Sequence, residues 1–174
     1  DDAVGTDNSS AEAPNLKTAG ALQLLEDEFY ARGYEDLNPT ANVIYPQQYY
    51  WKFGKTSNHG GIKLPKMELE GSTLINAEFE FDWSPHMTGS GNIDKVSVVV
   101  ELEGSGFFDN GTKISDPFVH SLQKGDLGWH HVKVLLKGVN NTTRISVRPL
   151  EFASATPDQQ RWHIDNLKVS DSDI

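Results

Sequence analysis

The sequence predicts an all-β fold, a sandwich or barrel of short antiparallel strands with few or no helices. Three observations carry this. Apolar and polar residues alternate along several segments. Clusters of Gly, Asn and Pro separate those segments. Aromatic residues are plentiful, with 8 Phe, 5 Tyr and 4 Trp against 2 Met, and such rings suit pleated surfaces better than helices.

Taken in order, residues 1–20 are small, polar and acidic with no periodic apolar face, and read as a leader or linker ahead of one domain over residues 21–174. ALQLLEDEFY (21–30) opens the domain as a strand, although its Leu and Glu content also admits a helix. QQYYWKFG (47–54) sets Tyr49, Trp51 and Phe53 on one face and Tyr50 on the other. STLINAEFEFDW (72–83) alternates cleanly, with Phe79, Phe81 and Trp83 opposite Glu78, Glu80 and Asp82. KVSVVVELEG (95–104) aligns Val96, Val98, Val100 and Leu102. HHVKVLLKGV (130–139), TTRISVRPLEF (142–152) and RWHIDNLKV (161–169) continue the period of two. Gly60-Gly61, Asn110-Gly111 and Asn140-Asn141 read as turns. The loop GSGFFDNGTKISDPF (104–118) brings Phe107 and Phe108 beside Asp109 and Asn110; one ring is expected to plug the end of the fold and the other is left open.

Composition narrows the function. The chain of 174 residues carries a net charge of -10 with its 15 basic residues scattered, which disfavours nucleic acid and anionic membranes. The absence of cysteine excludes disulfides and thiolate chemistry. No apolar run approaches the roughly 20 residues of a membrane span. The six histidines include no i, i+4 pair of the kind that holds zinc on a helix. There is no G-x-S-x-G elbow, no H-E-x-x-H and no phosphate loop.

The closing strand, Trp162-His163-Ile164-Asp165-Asn166-Leu167-Lys168-Val169, resembles the last strand of jelly-roll carbohydrate-binding modules. LLEDEF (24–29) resembles their first, and the segments between follow in the expected order. The likeness is to domains of bacterial cell-surface glycan-capture proteins. It implies a two-sheet antiparallel β-sandwich (jelly roll) with neighbouring first and last strands, and binding rather than catalysis. It also implies a secreted, surface or periplasmic bacterial location, tethered to other domains, with a polysaccharide or oligosaccharide as partner.

Sugar recognition needs an exposed flat ring and nearby polar groups. Tyr50 is the expected ring, with His59, His86, Phe107, Asp109 and Asn110 as loop partners. Trp83 and Trp162 are expected in the core, and the resemblance makes Trp129 part of the scaffold. No cofactor is required. The resemblance implies a structural calcium held by Glu28 and Asp165; the plain alternative is that Asp165 takes backbone N–H bonds. Two other functions stay open. One is a structural or adhesive spacer without a small-molecule site. The other is a glycan-active enzyme, a hydrolase or lyase, in which Glu78, Glu80 and Asp82 would face Glu101 and Glu103.

Overall fold

The computed structural model describes residues 29–41, 43–46, 50–54, 58–69, 71–86, 95–121, 128–152 and 160–172. Its strands are β1 (Glu35–Asp36), β2 (Ile44–Pro46), β3 (Trp51–Phe53), β4 (Ile62–Lys63), β5 (Ile75–Pro85), β6 (Lys95–Glu103), β7 (Phe118–Ser121), β8 (His130–Val139), β9 (Arg144–Pro149) and β10 (Trp162–Asp171). They form two antiparallel five-stranded sheets. The first has the order β1-β4-β9-β6-β7 and the second β2-β3-β10-β5-β8. The expected two-sheet sandwich is therefore present.

Alternation decides which side of each strand is buried. Phe79, Phe81 and Trp83 of β5 lie in the core, as do Val96, Val98, Val100 and Leu102 of β6. Glu78, Glu80 and Asp82 point outward and are only half-buried. Trp162 and Ile164 join the core, with the Trp162 ring stacked on Phe53 at 4.6 Å and its Nε1 donating to the Gly60 carbonyl at 2.9 Å. Burial of such rings is the main stabilising term, about 2–3 kcal/mol each when fully sequestered.

Two expectations change. Residues 29–31 form a helical turn, not the end of a strand; the rest of the expected opening strand, Glu28 included, lies outside the described residues. Among the described strands the neighbours of β10 are β3 and β5, and the expected pairing of the first strand with the last falls on residues outside the described ones. Gly60-Gly61 is not a turn with positive φ; both residues are buried in a close backbone approach. A Cβ on Gly61 would sit 2.7 Å from the Val147 carbonyl oxygen, too near for any side chain.

A bulge shapes β10. Asp165 pairs with Asp82 and Lys168 with Glu80, so Asn166 and Leu167 together oppose Phe81 alone. Asn166 has φ +54°, the left-handed region that Asn tolerates better than most side chains. The extra residue switches parity, so Leu167 packs against the core, as Ile164 does before the bulge.

Candidate functional site

The outer face of the second sheet gathers the chemistry. In one row across it, Lys52 of β3 pairs with His163 of β10, which pairs with Ser84 of β5. In the next row, Asp165 pairs with Asp82, which pairs with His131 of β8. Further along, Lys168 pairs with Glu80 and Glu80 with Lys133.

Two rings cover the first rows. Tyr50, just before β3, meets His163 at 4.8 Å and Trp129 at 5.5 Å between centroids. Trp129, just before β8, lies 6.0 Å from His163 and is 47% exposed. The expectation that Trp129 belongs to the scaffold is thus corrected. Its odd position puts it on the side of His131 rather than that of His130, which packs on Trp83. The sequence did hold that signal, since the alternation of β8 extended back by one residue sends Trp129 outward.

Beneath the rings runs a buried hydrogen-bond chain. Ser84 Oγ lies 2.8 Å from His163 Nδ1, and His163 Nε2 lies 2.9 Å from His86 Nδ1. Burial holds His163 well below the usual imidazole range, with His86 and Lys52 adding to the effect. His86 is pushed down to about 3, first by burial and then by the charges of Lys52 and Arg161. Both imidazoles are therefore neutral, and the one N–N contact, His163 to His86, has one donor and one acceptor. The chain fixes the floor on which Tyr50 rests. His86 is buried and cannot reach a ligand without displacement, so the structure corrects its expected role from hydroxyl contact to support.

Beside the rings, the polar row is cross-braced. His131 Nδ1 lies 2.7 Å from Asp82 Oδ1 and its Nε2 lies 3.2 Å from Glu80 Oε1. Those two hydrogen bonds raise the His131 pKa. Asn166 Nδ2 donates to Asp82 Oδ2 at 2.8 Å. Lys133 reaches Glu78 at 3.1 Å and Glu80 at 3.7 Å. These groups present both donors and acceptors at the margin of the aromatic pair.

The remaining expected residues fall elsewhere. His59 is buried and its Nδ1 lies 2.9 Å from the Glu151 carbonyl, so it braces the chain after β9 rather than meeting a ligand. Phe108 is the plug and Phe107 is 45% exposed at the far end of β8. Asp109 pairs with Lys137 at 2.6 Å, and Asn110 caps its own loop through Thr112 and Ile114. Asp165 accepts the Asn166 backbone N–H at 2.8 Å, whereas Glu28 is outside the described residues. Among the described residues, no three His, Asp or Glu side chains converge as a metal-ligand set.

The carboxylate row does not face Glu101 and Glu103 as a hydrolase pair would. Those two stand on β6 in the opposite sheet, where Glu101 binds Arg148 at 2.7 Å and Glu103 binds Lys63 at 2.9 Å. A cleft of about 540 Å³ lies between residues 64–69 and the second half of β10. Its one ring among the described residues, Tyr34, is half-buried and stacked on Phe29 at 5.4 Å.

No family model and no curated protein matches the sequence. Solved structures do show similarity. The K3 cleaved adhesin domain of Lys-gingipain from Porphyromonas gingivalis superposes with a TM-score of 0.50 at 9% identity, over 79% of this chain and 91% of that one. The CBM22-2 xylan-binding domain from Paenibacillus barcinonensis gives 0.42 at 13% identity, over 71% and 78%. CBM35 from the same organism gives 0.36 at 18% identity, over 71% and 78%. The first is a likeness of fold.

Proposed function

We propose that the protein binds a carbohydrate non-covalently on the outer face of its second sheet. The observation that carries this is the Tyr50–Trp129 pair, two rings held edge to face beside a row of braced polar groups. A pyranose presents a face of C–H bonds and a rim of hydroxyls. The C–H face packs on an exposed ring, and the rim exchanges hydrogen bonds with groups such as Asp82, His131 and Lys133. Rigid aromatic rings that lose little entropy on binding are well suited to this.

Affinity at one such site is modest. Each sugar hydroxyl trades water for a protein partner, a net gain of about 1 kcal/mol. Display of several copies, as on a tethered surface protein outside the cytoplasm, raises it by effective concentration.

The test is a glycan array followed by calorimetry on wild type, Tyr50→Ala and Trp129→Ala. Each variant is expected to lose binding by about tenfold or more, a loss near 1.4 kcal/mol, with its unfolding midpoint little changed. Wild-type binding that neither substitution weakens removes the aromatic pair from the site. A wild type that binds no glycan overturns the reading and leaves the spacer.

A further inference from the structure

We infer that the ligand is a neutral, extended glycan chain that lies along β8 from Trp129 to Phe107. This rests on the carbohydrate reading above and adds the length and charge class of the ligand.

Phe107 is brought to the same face by strand addition. Its backbone N–H donates to the Lys137 carbonyl and its carbonyl accepts from the Lys137 N–H, both at 2.9 Å. Residues paired in this way project to the same side of a sheet. Phe108 turns inward and is buried, so Phe107 turns outward, over Gly138. The Asp109–Lys137 ion pair fastens the loop to β8.

From Trp129 to Lys137 is eight strand residues, roughly 26 Å. Over that span the pairing of β8 with β5 runs without a break from His130 to Leu136, so the outward set is continuous. A groove of about 230 Å³ flanks it beside β8, lined by Asp109, Asn110, Asp116 and Lys133 among others. An exposed ring therefore stands at each end of one strip, His131, Lys133, Leu135 and Lys137, and no single sugar touches both rings.

Charge selects the chain's chemistry. On this strip Lys133 pairs with Glu78 and Glu80, His131 with Asp82 and Glu80, and Lys137 with Asp109. Four carboxylates stand against two lysines and His131, so the strip stays acidic on balance and repels a polyanion. Each charge already has a partner, and hydroxyl groups find donors and acceptors on either side of Leu135.

The experiment is calorimetry with neutral cello-, manno- and laminari-oligosaccharides, from disaccharide to octasaccharide, on wild type, Phe107→Ala and Trp129→Ala. For a bound series, wild-type affinity is expected to climb about tenfold or more with length. Phe107→Ala should abolish the climb and leave the shortest ligand unaffected, whereas Trp129→Ala should weaken every length. Phe107 is exposed, so its loss should leave the fold intact, and the unfolding midpoint checks that. An affinity that is flat from the disaccharide onward, or a Phe107→Ala profile equal to wild type, overturns the extended-chain inference while leaving a sugar site at Trp129. No binding by wild type at any length, in this test and on the array, overturns both.

Discussion

The Tyr50 ring meets the Trp129 ring edge to face, with centroids 5.5 Å apart and planes at 79°. The two residues come from segments nearly eighty positions apart, ahead of strands that are not neighbours, since β10 and β5 run between β3 and β8. His163 fills the gap beneath them. The pair is thus a product of sheet order, and its optical and energetic behaviour can be tested.

Trp129 should report ligand directly. Trp83 and Trp162 are buried and Trp51 is packed against the core, so among the four tryptophans Trp129 has the most solvent around its indole. A sugar that covers this ring is expected to shift the emission to shorter wavelength and protect it from acrylamide quenching. Trp129→Phe should erase that response. An unchanged spectral shift in Trp129→Phe would place the ligand elsewhere.

Stability should fall with acid through the buried histidines. In the folded chain His86 stays neutral down to about pH 3, because burial and the nearby Lys52 and Arg161 charges oppose a proton. His163 is lowered in the same direction, first by burial. Once unfolded, each imidazole takes up a proton near its ordinary value of 6.5. Between those limits the unfolded state binds more protons, so lowering the pH favours unfolding, by up to about 1.4 kcal/mol per pH unit for each group. The urea midpoint should therefore drop as pH falls below about 6.5, and His86→Asn should flatten the slope whatever it does to the midpoint. A His86→Asn slope equal to that of wild type counts against this assignment.

The bulge at Asn166 should tolerate Gly and reject β-branched residues. Its φ of +54° is strained for a branched side chain. Asn166→Val is expected to cost about 1–2 kcal/mol from backbone strain, besides the lost hydrogen bond to Asp82. Asn166→Gly loses the same bond but relieves the backbone, so it should be the more stable of the two. Equal stability of Asn166→Gly and Asn166→Val by chemical denaturation would show that the bulge relaxes.

Much of the fold was legible because burial on a strand obeys a period of two. That rule placed Phe79, Phe81 and Trp83 inward and Glu78, Glu80 and Asp82 outward without knowledge of any partner strand. It also sent Tyr50 to the side opposite Trp51. It failed at the end of β10, where the bulge at Asn166 shifts the parity before Leu167. It also failed at Gly60-Gly61, where the demand for glycine comes from Val43 and Val147, distant in the chain. His59 and His86 looked like loop ligands because nothing local marks a buried histidine; the Glu151 carbonyl and His163 that engage them lie 92 and 77 residues away.

The sequence by itself determined the class of fold and the inward and outward sets on each strand, since both follow from local alternation. Tertiary structure decided which strands are neighbours. That choice put Trp129 with Tyr50, set Glu101 and Glu103 in the sheet opposite Asp82, and laid Phe107 against Lys137 at the far end of β8. The physical reason is that backbone pairing between strands is nearly blind to side-chain identity, so sheet order emerges from the packing of the whole core rather than from any one segment.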